Sequence, residues 1–365
     1  MMASSNSGET EAGLVLRSAD PLNCETQVSA LGGSMVTPNE HFYVRNHFPA
    51  PAIDGASWRL EVGGLVRRPL RLAITDLVNL PAQVQTATLE CAGNGRAFLA
   101  PPVSGEQWEL GAVSTAEWTG VRLAEVLDRA GLKSGAHEVV FRAADRAIDK
   151  HSPGAGRFER SLTLDEVHQA DVLLAYAMNG QPLPIQHGYP LRVIVPGWYG
   201  IAAVKWLTEI EVVGRPFGGY FQTEKYVYEW ERDGGLEREP VRQMRVRSLI
   251  TEPDADGEVG IGPLTIRGLA WSGVAPIARV DVSINGGAWQ PARLFGQPST
   301  SSWQRWELQT KVSGPGRIAL RSRATDGAGR TQPEQPEWNR LGYGNNAIQE
   351  VSIRARRPSS RLAGR

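Results

Sequence analysis

The chain has 365 residues, and its 39 basic and 39 acidic side chains leave no formal net charge at neutral pH. Balanced charge gives no electrostatic reason to expect a nucleic acid or an anionic membrane as partner, so we expect a small-molecule ligand, no nucleic acid and no membrane. The length favours two domains, and 40 glycines with 24 prolines indicate many turns and much β structure.

Residues 1–30 are interpreted as a flexible leader. They contain neither a basic start followed by an apolar core nor a twin-arginine pair. No apolar run in the chain approaches the ~20 residues that a membrane span requires. We therefore expect a cytoplasmic protein, with the periplasm as the alternative if a leader has been removed. Cys24 falls in this polar stretch and is predicted to be incidental.

Residues 31–245 mix strand and helix patterns, which predicts an α+β domain. Alternating or continuous apolar runs predict strands at 58–62, 84–90, 139–141, 191–195 and 205–213. Residues 123–130 place apolar side chains on one helical face, and Gly131 is positioned to end that helix. Thr163 and Glu166 have the spacing of a capping box, which predicts a second short helix.

The pattern changes after an aromatic and charged connector at 215–245, where short strands separated by turn signals replace the mixture. The predicted strands lie at 264–271, 279–284, 303–308, 317–322 and 350–353. The Asn-Gly-Gly sequence at 285–287 is a strong hairpin signal. We therefore predict an immunoglobulin-like β-sandwich over 246–354, followed by a flexible tail at 355–365.

Cys91 is the residue whose surroundings call for a chemical explanation. It follows the predicted strand 84–90 and precedes Ala-Gly-Asn-Gly at 92–95, so its sulfur should lie at a strand end. From these residues alone, three roles are open. The thiol could be a small buried hydrophobe, a nucleophile whose pKa is lowered by a histidine or a helix N-terminus, or a soft metal ligand. Two cysteines in a chain of this size do not form a disulfide framework.

Several short motifs follow one another in a fixed order along the chain. They are Phe-Tyr-Val-Arg-Asn-His at 42–47, Cys-Ala-Gly-Asn-Gly-Arg at 91–96, the run 171–184, His-Gly-Tyr-Pro-Leu-Arg at 187–192, Val-Pro-Gly at 195–197 and Val-Lys-Trp at 204–206, with further matches at 268–273, 280–283 and 338–339. Each motif is weak by itself, but the series is specific. From about residue 35 to 353 the chain resembles the sulfite oxidase family of molybdenum enzymes.

The resemblance implies a molybdopterin-binding domain at 31–245 and a dimerisation domain at 246–354. It implies oxidation of sulfite to sulfate by oxygen-atom transfer at a molybdenum centre ligated by Cys91, where a thiolate joins the sulfur donors of molybdopterin. The chain shows no haem or flavin domain, so electrons should pass to an external acceptor, a cytochrome or oxygen. The alternatives are a related enzyme that acts on sulfane sulfur or nitrate, and a non-catalytic scaffold.

Cofactor contacts are also implied by the resemblance, since a buried phosphate and a polar ring need converging cations and donors. The matching positions are Tyr43, Arg45, Asn46, His47, His187, Arg192 and Lys205, and Asp145 matches more loosely. His187 alone would be interpreted as a loop histidine, but its spacing to Arg192 and Lys205 favours the cofactor. For Asp145 a solvated surface carboxylate remains the alternative.

Substrate contacts follow in the same way, because a dianion such as sulfite needs fixed positive charge beside the metal. By resemblance, Arg45 and Arg96 supply that charge. Tyr226 occupies the position of the family's active-site tyrosine, with Tyr228 as its rival if the register shifts by two residues.

Arg340 is a further catalytic candidate, although its position departs from the family pattern. Vertebrate and plant members follow the C-terminal Trp-Asn with Leu-Arg-Gly, whereas residues 338–342 read Trp-Asn-Arg-Leu-Gly. The arginine therefore comes one place early, and a shift of one residue in an extended segment reverses the direction of a side chain. Either the loop bulges so that Arg340 still reaches the pocket, or the side chain points elsewhere and the pocket is less cationic.

Overall fold

The computed structural model describes residues 13–146, 156–232 and 234–357. The chain divides into two units, each built from three segments. The first unit contains the described parts of Met1–Thr26, Val36–Met244 and Glu337–Asn345, and the second contains those of Gln27–Met35, Arg245–Pro336 and Asn346–Arg365.

Two five-stranded sheets form the body of the first unit. Its strands are β1 (Val15–Ala19), β2 (Leu22–Glu25), β3 (Leu60–Gly64), β4 (Leu70–Leu72), β5 (Gln83–Glu90), β6 (Val113–Arg122), β7 (Glu138–Arg146), β8 (Arg157–Thr163), β9 (Leu173–Met178), β10 (Gln181–Pro182), β11 (Arg192–Ile194), β12 (Leu207–Val213), β13 (Val227–Arg232) and β14 (Gly235–Pro240). One sheet has the order β10-β9-β6-β5 with β11 beside β9, and the other has the order β4-β3-β12-β7-β8. In the second sheet β12 runs parallel to β3 and antiparallel to β7, so the sheet is mixed.

Short helices join these strands, and the longest begins and ends where the sequence predicts. The helices of the first unit are Ile74–Val78, Leu123–Ala130 and Leu164–Gln169, with 3₁₀ turns at Asn39–His41, Arg96–Phe98, Ile185–His187 and Gly200–Ala202 and a π-helical turn at Phe221–Lys225. Leu123–Ala130 buries its apolar face, and Gly131 ends it with a φ of 70°. The capping box is confirmed, because the Glu166 N–H donates to Thr163 Oγ1 at 3.2 Å.

Residues 13–26 differ from the flexible leader that the sequence suggests. β1 and β2 form an antiparallel pair, and Cys24 in β2 is 1% exposed. The backbone N–H groups of Cys24 and Val44 donate to each other's carbonyl oxygens at 2.9 and 2.8 Å. The prediction was wrong because these contacts join residues far apart in sequence, which a polar local pattern does not reveal. Residues 1–12 lie outside the described part of the chain.

The second unit is the predicted β-sandwich. Its strands are β15 (Arg247–Glu252), β16 (Glu258–Gly260), β17 (Gly262–Trp271), β18 (Ile277–Ile284), β19 (Gln290–Pro291), β20 (Arg293–Phe295), β21 (Gln304–Val312), β22 (Gly316–Asp326) and β23 (Glu350–Arg356). They form a four-stranded sheet, β15-β17-β21-β20, and a five-stranded sheet, β16-β23-β22-β18-β19. Apolar side chains from both sheets, including Ile266, Trp306 and Leu320, form one core. Asn285 and Gly286 both have positive φ and make the expected hairpin turn between β18 and β19.

The boundary between the units is less simple than a cut after residue 245. The helix Val28–Leu31 belongs to the second unit, whereas residues 337–345 return to the first. The predicted tail also begins too early, because β23 continues to Arg356 and buries Ala355. Residues 358–365 lie outside the described part of the chain. None of the helices described has the length and apolarity needed to cross a lipid bilayer.

Candidate active site

Cys91 lies at the end of β5, as the sequence predicts, and is 7% exposed. Its N–H donates to the Ala112 carbonyl at 2.8 Å, and the Asn94 N–H donates back to the Cys91 carbonyl at 2.9 Å. Gly95 then adopts a left-handed conformation with a φ of 84°, and the chain enters the turn Arg96–Phe98. Burial raises the pKa of the thiol, although nearby cationic side chains oppose that shift.

An inner cavity opens beside Cys91. Its polar lining residues are Tyr43, Arg45, Asn46, His47, Cys91, Asp145, Gln186, His187, Arg192, Lys205 and Tyr226, and its apolar lining includes Phe42, Leu89 and Trp206. The structure therefore brings together all the cofactor-binding residues that the resemblance implies, from segments that are far apart in the sequence.

Arg192 and Lys205 provide the fixed cations of the inner cavity. Arg192 donates through Nη1 to the His187 carbonyl at 2.8 Å and through Nη2 to the Ala203 carbonyl at 3.2 Å. Lys205 Nζ donates to the Gln186 carbonyl at 2.9 Å and also to Asn46 Oδ1. Backbone carbonyls thus help to hold both side chains in place, and no ion pair joins either of them to a carboxylate of the described residues. Burial and Arg192 lower the pKa of Lys205, and Asp145 opposes that shift.

His187 is a neutral hydrogen-bond donor at this site. Its Nε2 lies 3.2 Å from the Asn39 carbonyl, which can only accept, so the ring proton is on Nε2. Burial, together with the nearby cations Lys205 and Arg192, lowers the pKa of His187 to about 3. The side chain packs against Phe42 at a ring-centroid distance of 5.2 Å and lines the inner cavity.

Asp145 lines the inner cavity and is 4% exposed, so the surface interpretation of this residue is wrong. Burial raises the pKa of its carboxyl group to about 6, and the Lys205 ammonium opposes the rise. Within the described residues, neither Asp145 Oδ1 nor Arg192 Nε has a hydrogen-bond partner. A buried acceptor and a buried donor without partners are costly unless a polar ligand satisfies them.

The segment that contains Arg45 is fixed by Asn23, a residue of the N-terminal hairpin. Asn23 Oδ1 accepts from the Asn46 backbone N–H at 2.8 Å and from Arg45 Nη1 at 3.2 Å. His47 follows and stacks on Phe158 with ring centroids 4.9 Å apart. Burial, Arg45 and other cations hold the pKa of His47 well below its usual range, so its ring is neutral.

Of the two candidate tyrosines, Tyr226 is the one that lies at the site. Its hydroxyl lies 2.5 Å from His47 Nε2, and its side chain lines the inner cavity. Burial raises the pKa of this hydroxyl, although Arg45 acts in the opposite direction. Tyr228 instead stacks on Trp230 at 5.5 Å and lines neither cavity beside Cys91.

A second, outer cavity adjoins the first and is open to solvent. Its lining residues are Leu16, Arg17, Arg45, Cys91, Arg96, Ser104, Gly105, Glu106, Gln107, Lys225, Tyr226, Leu341 and Tyr343. Arg45, Cys91 and Tyr226 line both cavities and so mark their junction. Four of the lining residues are cationic and one is acidic, which favours an anionic ligand.

Arg96 is held rigidly in the wall of the outer cavity. Its Nη1 donates to the Glu106 carbonyl at 2.8 Å and its Nη2 to the Leu341 carbonyl at 3.2 Å. The guanidinium also lies over the Tyr343 ring, 5.1 Å from the centroid. A Cβ on Gly93 would approach Arg96 Nη1 to 2.5 Å, so the glycine in the cysteine loop gives the guanidinium its space.

Arg340 is the predicted site residue that the structure does not bring to the site. Its Nε lies 2.5 Å from Glu229 Oε2, its side chain is 62% exposed, and it lines neither cavity. The Arg340 hydrogen bond, with help from Arg238, lowers the pKa of Glu229. Of the two possibilities left open by the one-residue shift, the structure has the arginine pointing elsewhere, toward a carboxylate on β13.

Three residues at the site were missed by the sequence reasoning. Lys225 and Tyr343 line the outer cavity, and Asn23 holds Arg45 from the N-terminal hairpin. Lys225 had a usable signal, because it directly precedes Tyr226. Asn23 had none, since a polar residue in a polar stretch carries no local mark of burial.

The metal-binding capacity of the site depends on Cys91 and donors from outside the protein. Within the described ranges 13–146, 156–232 and 234–357, no group of three or more His, Cys, Asp or Glu side chains is placed to hold a metal ion. A thiolate is a soft donor and suits a metal whose remaining ligands include sulfur.

Comparison with known proteins gives matches over both units. A family described as the oxidoreductase molybdopterin binding domain matches residues 47–221, and a family described as the Mo-co oxidoreductase dimerisation domain matches 238–356. The sulfite oxidase of Gallus gallus is 36% identical over 90% of this chain and 75% of its own length. The sulfite oxidase of Arabidopsis thaliana is 35% identical over 93% of this chain and 94% of its own length.

Two further matches are to a longer relative and to a solved structure. The chain spans 65% of the length of the mitochondrial sulfite oxidase of Homo sapiens, to which it is 37% identical. Among solved structures, the sulfane dehydrogenase SoxCD from Paracoccus pantotrophus matches with a TM-score of 0.80 and 31% identity, over 96% of this chain and 87% of that one.

Proposed function

The chain belongs to the sulfite oxidase family of molybdopterin-binding oxidoreductases, and from that premise we propose that it oxidises sulfite to sulfate. In the overall reaction, sulfite takes one oxygen atom from water, and two protons and two electrons are released. The electrons pass to an external acceptor, a cytochrome or oxygen.

The observation that carries this proposal is the junction of a cationic outer cavity with Cys91. Arg45 and Arg96 both line the outer cavity, and Arg45 also reaches the inner one. A small dianion that enters from solvent would therefore meet fixed positive charge beside the cysteine. Both guanidinium groups are held by hydrogen bonds, so little reorganisation is needed when the anion binds.

The inner cavity fits a molybdopterin cofactor by the chemistry of its donors. Asp145 Oδ1 and Arg192 Nε lack partners among the described residues and would pair with polar groups of the cofactor. Arg192 and Lys205 would hold its phosphate, with Tyr43, Asn46, His47 and His187 beside them, and Cys91 would bind molybdenum. When bound, the cofactor supplies a two-electron redox centre for oxygen-atom transfer.

The side chains at the junction would orient the substrate and organise its proton chemistry. Arg45 and Arg96 would hold the oxygen atoms of the anion. The His47 ring is neutral, and its Nε2 hydrogen bond fixes the Tyr226 hydroxyl at the junction. Tyr226 would hydrogen-bond to the reacting oxygen at the junction of the two cavities.

A steady-state assay with sulfite, a sulfane-sulfur substrate and nitrate tests the proposal, with ferricyanide, cytochrome c and oxygen as acceptors in the two oxidations and a reduced dye as the donor for nitrate. We expect sulfite to have the highest kcat/KM, and Cys91→Ser to retain the fold and the pterin but lose turnover. Molybdenum and pterin analysis of both proteins is the control for cofactor content. A Cys91→Ser variant with full activity, or a wild-type protein loaded with molybdenum that does not oxidise sulfite, would contradict the assignment.

A sulfane-sulfur substrate is the second candidate. The likeness to a sulfane dehydrogenase structure supports it, and so does the position of Arg340, which leaves the outer cavity without an arginine from the 338–342 segment. A higher kcat/KM for the sulfane substrate than for sulfite would select this alternative. A non-catalytic scaffold is disfavoured by the assembled set of Cys91, Arg45, His187 and Lys205, and metal analysis decides it directly.

A further inference from the structure

Lys225 is a cationic residue near Cys91 to which the proposed function assigns no role. It ends the π-helical turn Phe221–Lys225, directly before Tyr226, and its half-buried side chain lines the outer cavity. Arg45 and Arg96 line the same cavity. Three cationic side chains therefore face one space that also reaches Cys91.

Lys225 differs from other cationic side chains near the site in its partners. Arg17 is paired with Glu25 and Glu109, and Arg340 is paired with Glu229. Among the described residues, no ion pair or side-chain hydrogen bond joins Lys225 to a carboxylate.

The charges that act on Lys225 are also unusual. Burial lowers the pKa of the Lys225 ammonium group, and the positive charges of Arg45, Arg96 and Arg340 lower it in the same direction. The acidic residue of the cavity, Glu106, accepts a hydrogen bond from Asn23 at 3.3 Å. A half-buried ammonium group surrounded by cations is unfavourable by itself, so its cost is relieved when an anion enters the cavity.

We propose that Lys225 is a substrate-binding residue that contacts the oxyanion in the outer cavity, which Arg96 and Arg45 also line, and supplies the cation that Arg340 does not. The inference rests on the proposed function in one respect, that the ligand is a small oxyanion. A lysine suits this role because its flexible stem and three rotatable donors adapt to oxygen atoms in different arrangements, unlike the planar fork of an arginine.

The position of Lys225 indicates which step of the reaction it should affect. Arg340 belongs to the segment Glu337–Asn345, whereas Lys225 is adjacent to Tyr226, whose hydroxyl lies at the cavity junction. The proposed anion contact and Tyr226 are thus carried by consecutive residues. Because Lys225 lines the outer cavity and not the inner one, it should affect binding of the anion more than the rate of the step that follows.

The test compares Lys225→Gln with wild type in two measurements on the cofactor-loaded protein. The first is the sulfite KM, expected to rise roughly tenfold or more while kcat changes by less than about threefold, because a lost charge-assisted contact is worth at least this factor. The second is the affinity for sulfate, a non-reacting dianion, measured by calorimetry and expected to fall by a similar factor. The salt dependence of sulfate binding should also weaken.

Three further variants serve as controls. Lys225→Arg keeps the charge and should restore most of the affinity. Lys133→Gln removes one positive charge from an exposed position in the same unit and should leave both measurements unchanged. Arg340→Gln should raise the sulfite KM less than Lys225→Gln does, since its side chain is directed to Glu229.

The outcomes separate this inference from the proposed function. If the Lys225→Gln variant melts at the wild-type temperature and binds sulfate as tightly as wild type, the proposed role of Lys225 is wrong. If wild type binds sulfate but does not oxidise sulfite, the proposed function fails, and the sulfate affinities still decide the role of Lys225. If Lys225→Gln fails to fold, the same comparison is made with Lys225→Met and Lys225→Arg, and equal sulfate affinities in these two variants would overturn the proposal.

Discussion

Burial sets the protonation of individual side chains in the inner cavity. The pKa of His187 falls to about 3 and that of Asp145 rises to about 6, in both cases because burial disfavours the charged form. His187 is therefore uncharged at neutral pH, and its one ring proton is donated to the Asn39 carbonyl. Asp145 is an acceptor at neutral pH, because its pKa of about 6 lies below that pH. In this cavity, the donor and the acceptor that lack partners among the described residues are Arg192 Nε and Asp145 Oδ1, which suits a polar ring with groups of both kinds.

Arg96 provides a prediction at the scale of one residue. We expect Arg96→Gln to raise the sulfite KM on the order of tenfold or more, because hydrogen bonds to charged groups are worth about 1.5–3 kcal/mol. Steady-state kinetics with sulfite measure the change. Arg96→Lys keeps the charge and should be less affected in KM, although it loses one of the two backbone contacts to Glu106 and Leu341. An unchanged KM in Arg96→Gln would remove this residue from the anion site.

At the scale of elements, the N-terminal hairpin is part of the support for the active site. Asn23 in β2 is buried and links Arg45 and Asn46 to the hairpin through its side-chain oxygen. Its amide nitrogen donates to Ser18 Oγ at 2.9 Å and to the Pro21 carbonyl at 3.0 Å. One side chain therefore connects the turn of the hairpin to the segment that carries Arg45.

We predict that Asn23→Ala raises the sulfite KM several-fold and destabilises the protein by about 1–3 kcal/mol, the cost of leaving the buried Asn46 N–H without a partner. Asn23 is a positioning residue, so the effect should appear in KM more than in kcat. Enzyme kinetics and thermal unfolding measure the two effects. Asn79→Ala, at an exposed position of the same unit, is the matched control. A variant that is destabilised but keeps the wild-type KM would show that the hairpin has no influence on Arg45.

In the second unit, Asp326 stabilises the end of β22. Its carboxylate accepts from Ser272 Oγ at 2.8 Å, from Arg330 Nε at 3.0 Å and from the Ala328 and Arg330 N–H groups at 3.0 and 3.1 Å. Although burial alone would raise the pKa of Asp326, these hydrogen bonds lower it below the ordinary value of 3.8.

Asp326→Asn should therefore destabilise the protein by about 2 kcal/mol near pH 7, as expected for lost hydrogen bonds to a buried charged group. Because the folded-state pKa is lower than the unfolded one, the carboxylate stabilises the fold above pH 3.8 and loses that effect as the pH falls through the folded-state value. The gap in unfolding free energy between variant and wild type should shrink as the pH approaches about 3. Urea unfolding across this range measures it, with exposed Asp254→Asn as control. A gap that does not depend on pH would contradict the role of the charge.

At the scale of the whole molecule, the match of residues 238–356 to a dimerisation domain predicts a homodimer. Light scattering on the eluting peak of a sizing column should give twice the chain mass of 39.7 kDa. The mass should stay at this value on dilution into the low micromolar range. A mass of one chain at all concentrations would contradict the prediction.

The sequence by itself determined the features that short stretches of chain encode. The apolar period and Gly131 set the helix Leu123–Ala130, and alternating strands with a hairpin turn set the β-sandwich. The ordered motifs identified the family and named most of the residues that the structure brings to the inner cavity. These features are readable because a helix face, a cap, a turn and a motif are each defined by residues a few positions apart.

Only the tertiary structure decided which distant residues meet. Asn23 reaches Arg45, Lys225 and Arg96 line the same outer cavity, and Arg340 pairs with Glu229 instead of entering that cavity. Each of these contacts depends on the direction of one side chain. A shift of one residue along the chain changes that direction, and so does a buried carboxylate that pairs with the side chain. The Cys91 loop was visible in the sequence, but the charges that surround it were fixed by packing between segments up to about 250 residues apart.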